Sequence, residues 1–335
     1  MAGLVRTCVI LGLSAIAAFT LLASMGEPAG LSDAFSTFRL HFAFGASAIA
    51  LMGLWLGRVT AIAGLALAFV NLLAGDHPLS PVVPPANGKP LKVMTFNTLY
   101  RVENGDRIIS EIARHDPDIV FLQEQVVGKQ WIYERLKTRY PFQVYCRRVG
   151  ECDTAILSRY PWISAEAKKV GRDGASFALA RFGAELNNLT VATVHLKWPQ
   201  YSSQLAQLAR AWDHLKDSKG EIILAGDFNA VPWSGTLRTF SANTGLRTTG
   251  GLAATWPARH HRTGRPCLWC VPQLQIDHVL VSSGIRVTAA AVGKDLGSDH
   301  LPVHVELELP MLVSRTANAD QFVATTCGIC GAIGH

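Results

Sequence analysis

Residues 222–229 read IILAGDFN, an apolar run closed by Gly226, Asp227, Phe228 and Asn229. A run this short with no alternation is expected to be a strand buried on both faces. Its last residues then deliver a carboxylate and an amide at the strand's end. The same design recurs along the chain. Residues 93–97, VMTFN, end on Asn97; 118–124, DIVFLQE, end on Glu124; and 190–195, TVATVH, end on His195. Asp277 lies in QIDHVLV at 275–281, and Asp299 and His300 lie in GSDHLP at 297–302.

One acid after a strand is usually a helix cap or turn residue, and one histidine is usually a hydrogen-bonded framework residue. Four carboxylates, two amides and two histidines gathered on one rim of a sheet exceed what turn chemistry needs. Such a set suits a hard divalent cation, because Mg²⁺ prefers one or two carboxylates together with water and substrate phosphate.

Around these ends, strands are expected at 91–96, 119–122, 155–157, 177–182, 189–194, 222–224, 276–281, 287–292 and 303–309. Helices are expected at 107–113, stopped by Pro117, and at 203–215, with Leu205, Leu208, Ala209 and Trp212 on one face. The class is strand-rich α/β. There is no internal repeat and no low-complexity tract.

The first 90 residues differ in kind. They carry only Arg6, Arg39, Arg58 and Lys89 against Glu27, Asp33 and Asp76 in a chain of 335 residues that is 49% hydrophobic. Apolar stretches at 9–25, 40–56 and 59–74 approach the ~20 residues that cross a bilayer. Residues 1–78 are therefore expected to form a membrane region of three transmembrane helices, with the last two as a hairpin about Gly57 and Arg58. Arg6 and Arg58 place the cytoplasmic ends. Three crossings then deliver the remainder to the extracytoplasmic side of the cell membrane, with Arg39 arguing mildly the other way. A cleavable signal peptide is the alternative for the first stretch, and a buried core helix for the third. The prolines at 81, 84, 85 and 90 make 79–90 a stiff linker. A catalytic unit is expected over 91–311 and a flexible tail over 312–335.

Seven cysteines include three local pairs: Cys146 with Cys152, Cys267 with Cys270, and Cys327 with Cys330. Outside the cytosol, disulfides are the simpler outcome for Cys146, Cys152, Cys267 and Cys270, and zinc would require four ligands to converge. The tail pair has no reading. A net charge of +6 without a long basic run tolerates an anionic substrate or membrane surface and does not demand nucleic acid.

Taken in order, FNTLY, DIVFLQE, TAILSRYP, VHL, AGDFNAVP, IDHVLVS and SDHLPV resemble the endonuclease/exonuclease/phosphatase superfamily, the DNase I-like phosphohydrolases. With the apolar head and TWP at 255–257, the likeness is to the bacterial membrane-anchored branch. The resemblance implies a four-layer α/β sandwich of two mixed sheets flanked by helices. It also implies hydrolysis of a phosphate ester with Mg²⁺ or Mn²⁺. It makes Glu124 the principal metal ligand, with Asn97 and Asp299 near the ion. Asp227 would activate water, Asn229 would hold water and phosphate, and His195 and His300 would donate to phosphate oxygens. Asp277 would orient His300. Thr98, Leu99 and Tyr100 lack the acid that abasic-site endonucleases carry, which lowers the case for DNA repair.

His278, Arg147 and Arg259 are candidate substrate contacts, with packed strand residue and solvated loop charge as the plainer readings. The expected substrate is a nucleic acid, a phospholipid headgroup or a nucleotide, the expected surroundings are a lipid bilayer, and no obligate protein partner is implied. The competing class is a catalytically silent membrane binding or scaffold protein. A transporter is disfavoured, since Asn71 and His41 are the strongest polar candidates within the apolar segments.

Overall fold

The computed structural model describes residues 2–25, 31–75, 79–84, 86–102, 105–126, 128–146, 148, 150–171, 175–199, 203–251, 253–260, 263–267 and 272–311. Arg147, Cys270 and the tail with Cys327 and Cys330 lie outside the described residues.

Four helices come first: α1 (Ala2–Ser24), α2 (Leu31–Ser36), α3 (Arg39–Leu56) and α4 (Arg58–Ala74). The helices α1 and α3 are long and apolar enough to cross a membrane, and α4 is a shorter apolar helix of 17 residues. They pack through small residues: Gly64 of α4 lies so close to α3 that a Cβ there would sit 2.8 Å from the Ala46 carbonyl oxygen. Tight backbone approach of this kind is how helices associate without a hydrophobic driving force. Their outer faces leave Leu11, Leu51, Leu54, Val59, Ile62, Leu65, Phe69 and Leu73 exposed, and Trp55 is 93% exposed.

The remainder begins with β1 (Lys89–Asn97), α5 (Asp106–His115), β2 (Ile119–Gln123), α6 (Gln130–Leu136), β3 (Phe142–Tyr145), β4 (Ala155–Ser158), β5 (Trp162–Val170) and β6 (Ala175–Phe182). It continues with β7 (Thr190–His195), α7 (Gln204–Trp212), β8 (Ile222–Asp227), α8 (Gly235–Thr244), β9 (Arg247–Thr248), β10 (Asp277–Val281), β11 (Arg286–Val292) and β12 (Val303–Leu309). Two mixed six-stranded sheets result, in the orders β11-β12-β1-β2-β4-β3 and β5-β6-β7-β8-β10-β9.

Alternation within each buried strand builds three apolar layers. From β1, Leu91 and Val93 join Phe121, Ala178, Val191, Ile223 and Val305 between the sheets. Met94 and Phe96 point the other way, against Ile108 and Ile112 of α5 and Ile132 of α6. On the second sheet Val194 and Leu224 meet Leu208 of α7 and Leu237 and Phe240 of α8. The fold is thus the helix-sheet-sheet-helix sandwich that the family resemblance implies.

Register brings the polar strand ends together. In the parallel pair β1–β2, Asn97 lies opposite Gln123, so Glu124 is the next residue out. In the parallel pair β7–β8, His195 lies opposite Asp227, and in the antiparallel pair β10–β8, Asp277 also lies opposite Asp227. Gly226 makes the last turn of β8 possible, with φ of 140° and no room for a Cβ, which would sit 2.0 Å from the Val194 carbonyl oxygen.

The head is joined to the sandwich by specific bonds. Asp33 of α2 accepts from the Gly235 and Thr236 amides at 2.7 and 3.2 Å, capping α8 from outside its own chain segment. Trp233 Nε1 donates to the Ser36 carbonyl at 2.9 Å, and Leu40 packs on a cluster of Val231, Trp233, Leu274 and Ile276.

Candidate active site

The strand ends surround a cavity of about 630 Å³ lined by Glu124, Asp153, His195, Asp227, Asn229, Asp299 and His300. Asp227, 1% exposed, is its centre. Asn97 Nδ2 donates to Asp227 Oδ2 at 2.9 Å and to Glu124 Oε1 at 3.0 Å, bridging the two sheets. His195 Nε2 and His300 Nε2 lie 3.6 and 3.7 Å from the same Asp227 oxygen.

Each imidazole is backed by its own carboxylate. His300 Nδ1 is 2.8 Å from Asp277 Oδ2, and His195 Nδ1 is 2.9 Å from Asp153 Oδ2. Burial disfavours charge on both rings, yet the surrounding carboxylates outweigh it. Asp153, with Asp227 and Glu124, pushes His195 up to about 9, and Asp277, with Asp227 and Asp299, pushes His300 up to about 10. Both rings are therefore charged donors at neutral pH. Burial pushes Asp227 up to about 6, against the pull of His300. His195 in turn holds Asp153 below the ordinary carboxylate range despite its burial.

The supporting contacts are buried polar side chains. Gln204 Nε2 donates to the carbonyls of Lys197, Phe228 and Asn229, at 2.9 Å each, fixing the loop after β7 against the loop after β8. Lys129 Nζ donates to the Leu99 carbonyl at 2.6 Å and the Glu124 carbonyl at 3.3 Å, tying together the loops that follow β1 and β2. Burial brings Lys129 down to about 8. Thr255 Oγ1 accepts from the Ile276 and Asp277 amides, and Ser298 Oγ donates to the Asn97 carbonyl at 2.7 Å. Glu124 and Asn229 have φ of 57° and 47°, a conformation rarely adopted by glutamate and one that accompanies functional loops.

Eight strand-end residues were expected to meet, and all eight do, although two do so differently. Asn97 turns its Nδ2 to the carboxylates, and its Oδ1 accepts from the Leu99 amide at 3.0 Å. It bridges the two acids through Nδ2, where the expectation was a place close to the metal or bound through its waters. Asn229 donates through Nδ2 to the Leu196 carbonyl at 2.7 Å. Asp299 reaches the cavity wall, with Trp256 Nε1 3.4 Å from its Oδ2.

Other candidates fall elsewhere. His278 is buried behind the cavity, 2.8 Å from the Ala230 carbonyl and edge-on to Phe228. Burial lowers it to about 4, so it is a neutral packing residue, and substrate contact is not its place. Arg259 pairs with Asp295 at 2.8 Å and donates to the Gly264 carbonyl, lining a neighbouring cleft. Cys146 and Cys152 form a disulfide beside the cavity, and Cys267 is also disulfide-bonded. Asp153, Lys129, Gln204 and Thr255 were not anticipated.

A family model described as the endonuclease/exonuclease/phosphatase family matches residues 94–300. The chain belongs to that family. As a member it is a phosphoester hydrolase, in a family whose enzymes depend on divalent metal. Among solved structures, it is similar to the endonuclease/exonuclease/phosphatase from Beutenbergia cavernae (22% identity, TM-score 0.54, covering 66% of this chain and 72% of that one). It is also similar to the human Nocturnin catalytic domain with bound sulfate (18%, 0.53, 68% and 96%). D. rerio TDP2 complexed with single-strand DNA product is a third (19%, 0.51, 65% and 99%). At these identities the likeness concerns the fold. No curated protein matches the chain.

Proposed function

We propose that this family member is held in a bilayer by α1, α3 and α4 and hydrolyses a phosphate ester with water activated at Asp227. One observation carries the reading: a buried carboxylate stands between two imidazoles, each charged by a carboxylate behind it. Phosphoryl transfer spreads negative charge over non-bridging oxygens, so fixed donors and a base aimed at one point are what the reaction needs. In this arrangement His195 and His300 donate to those oxygens. Asp227, deprotonated above about pH 6, positions water and accepts its proton.

The residues fit a divalent cation. Glu124, Asp227 and Asp299 line the cavity together, carboxylates of the kind a hard cation takes. Asp299 Oδ1 is buried without a hydrogen-bond partner. Glu124 and Asp299 would hold the ion, Mg²⁺ or Mn²⁺, which when bound supplies further neutralisation of phosphate charge.

The domain reading becomes a membrane region to residue 78, a linker from 79 that pairs with the sandwich at Leu79 and Val82, and a catalytic unit to 311 that begins with β1 at Lys89, two residues ahead of the expected 91. Three crossings agree with the bonds from Asp33 and Ser36, which set the loop between the first two spans on the same side as the sandwich. Arg6 and Arg58 favour an extracytoplasmic catalytic unit, and the Cys146–Cys152 disulfide suits that compartment.

The test is hydrolysis of bis(p-nitrophenyl) phosphate by the full chain in detergent with Mg²⁺ or Mn²⁺. Activity is expected to vanish with EDTA and to fall by at least about 100-fold in Asp227→Asn and Glu124→Gln. Unchanged turnover in both variants would end the proposal.

A further inference from the structure

The end of the apolar bundle touches the sandwich at Trp233, Gly235 and Thr236, in the segment that follows Asn229 of the cavity. The exposed apolar belt runs up α4 as far as Leu73, and Gly75, which follows that helix, lies beside the Leu40 side chain in the first turn of α3. The top of the belt is therefore at Leu40. Arg39 Nη2, bonded to the Ala23 carbonyl at 2.7 Å, holds the end of α1 at the same level.

Leu40 packs on the cluster that Trp198 and Trp256 also join, and those two indoles, 5.3 Å apart and edge to face, form one wall of the cavity. The belt's edge and the cavity wall thus pack on one apolar cluster of Val231, Trp233, Leu274 and Ile276. Tryptophan is the residue that settles at the headgroup level of a bilayer, with an apolar ring and a polar N–H. The cavity lining also carries Arg148, Lys169 and Lys197, all exposed, which complement phosphate at an anionic surface.

From this we propose that the cavity works at the surface of the bilayer that holds α1, α3 and α4, and that its substrate is the phosphate ester of a lipid headgroup in that bilayer. The proposal rests on the hydrolase and membrane readings above. The balance is that of simple hydrolysis. The water oxygen bonds to phosphorus, the ester P–O bond breaks, and one proton of the water finishes on the departing alcohol, so no co-reactant is required. A substrate confined to the enzyme's own membrane is met at the high effective concentration of a tethered pair.

The experiment uses two vesicle populations of phosphatidylethanolamine, phosphatidylglycerol and sphingomyelin, of which one carries the full chain and the other, free of protein, carries the same lipids with deuterated chains. With Mg²⁺ present, lipid cleavage products are followed by mass spectrometry and bis(p-nitrophenyl) phosphate hydrolysis by absorbance. Products from the protein's own vesicles should exceed deuterated products by at least about 100-fold. Equal conversion in the two populations, or turnover of the soluble diester with both lipid pools intact, overturns the proposal. If neither lipid nor soluble diester is cleaved, the hydrolase reading itself fails and takes this one with it.

Asp33→Asn, which weakens the bond between head and α8, should lower conversion of the enzyme's own lipids by about 10-fold while leaving soluble diester turnover within about twofold. Equal losses on both substrates count against the proposal. Should that variant not fold, the two-population comparison on the unaltered chain decides alone.

Discussion

Replacing Asp153 with Asn tests the logic of the site at a residue of the cavity wall that backs His195. The amide keeps the shape and can still meet Nδ1, but the charge that holds the imidazolium is removed. With Asp153 in place His195 is raised to about 9. Without it, burial continues to push the ring down while Asp227 and Glu124 remain, so the ring should return to about 6.5 or below. At about pH 8 the protonated fraction then falls from roughly nine-tenths to a few per cent, a loss of about 30-fold in the donor form. Turnover should fall by a similar factor at that pH and recover toward about pH 6, where the ring is charged again. The assay is kcat against pH with a soluble diester at saturating Mg²⁺. The alkaline limb should move from about 9 to below about 7. If turnover drops equally at every pH, with the limb unmoved, Asp153 is a packing residue and the two-imidazolium account is wrong.

Three further outcomes follow from the same geometry. Gly226→Ala forces a Cβ into the Val194 carbonyl at a φ of 140°, so it should cost at least about 3 kcal/mol; a thermal scan of the full chain in detergent that shows no shift would contradict so close an approach of β7 to β8. In the EDTA-treated chain, His195 and His300 are raised in the folded state, so their contribution to stability is fully present below about pH 6.5 and lost as pH rises through about 9 to 10. Melting temperature should fall across that window, and a flat profile would show that the rings are not charged. The Cys146–Cys152 bridge closes a short loop with a sequence separation of 6, so Cys146→Ser with Cys152→Ser should lower stability by about 2 kcal/mol. It should also raise KM, because Arg148 sits within that loop on the cavity rim; an unchanged KM would remove the loop from substrate binding.

What the sequence showed and what it hid divide along a physical line. Asn97, His195, Asp227 and Asp277 were legible because each ends or begins a strand buried on both faces, and Glu124 because it follows one, where a largely apolar run makes a polar residue at its end conspicuous. Asp153 was not, since it follows Cys152 in a loop ahead of β4, where an acid reads as ordinary turn chemistry. Its role arises only because β4 lies antiparallel to β2 and the other sheet brings His195 to within 2.9 Å. The strand β5 was missed for a related reason: it is an edge strand with several exposed residues, so its apolar positions are diluted by Lys168, Lys169 and Glu166. Lys129 and Gln204 are harder still, because a buried lysine and a buried glutamine look like surface residues until the carbonyls that receive them are in place.

The head shows the same division. Its apolar stretches announce helices, while Asp33 reads as a loop acid until α8 presents the Gly235 and Thr236 amides to it. With the Trp233–Ser36 bond and the packing of Leu40, that carboxylate fixes the head on the sandwich, which gives the cavity a defined height above the apolar belt. Position relative to a membrane is a property of long-range contacts, and a residue-by-residue reading contains no term for it.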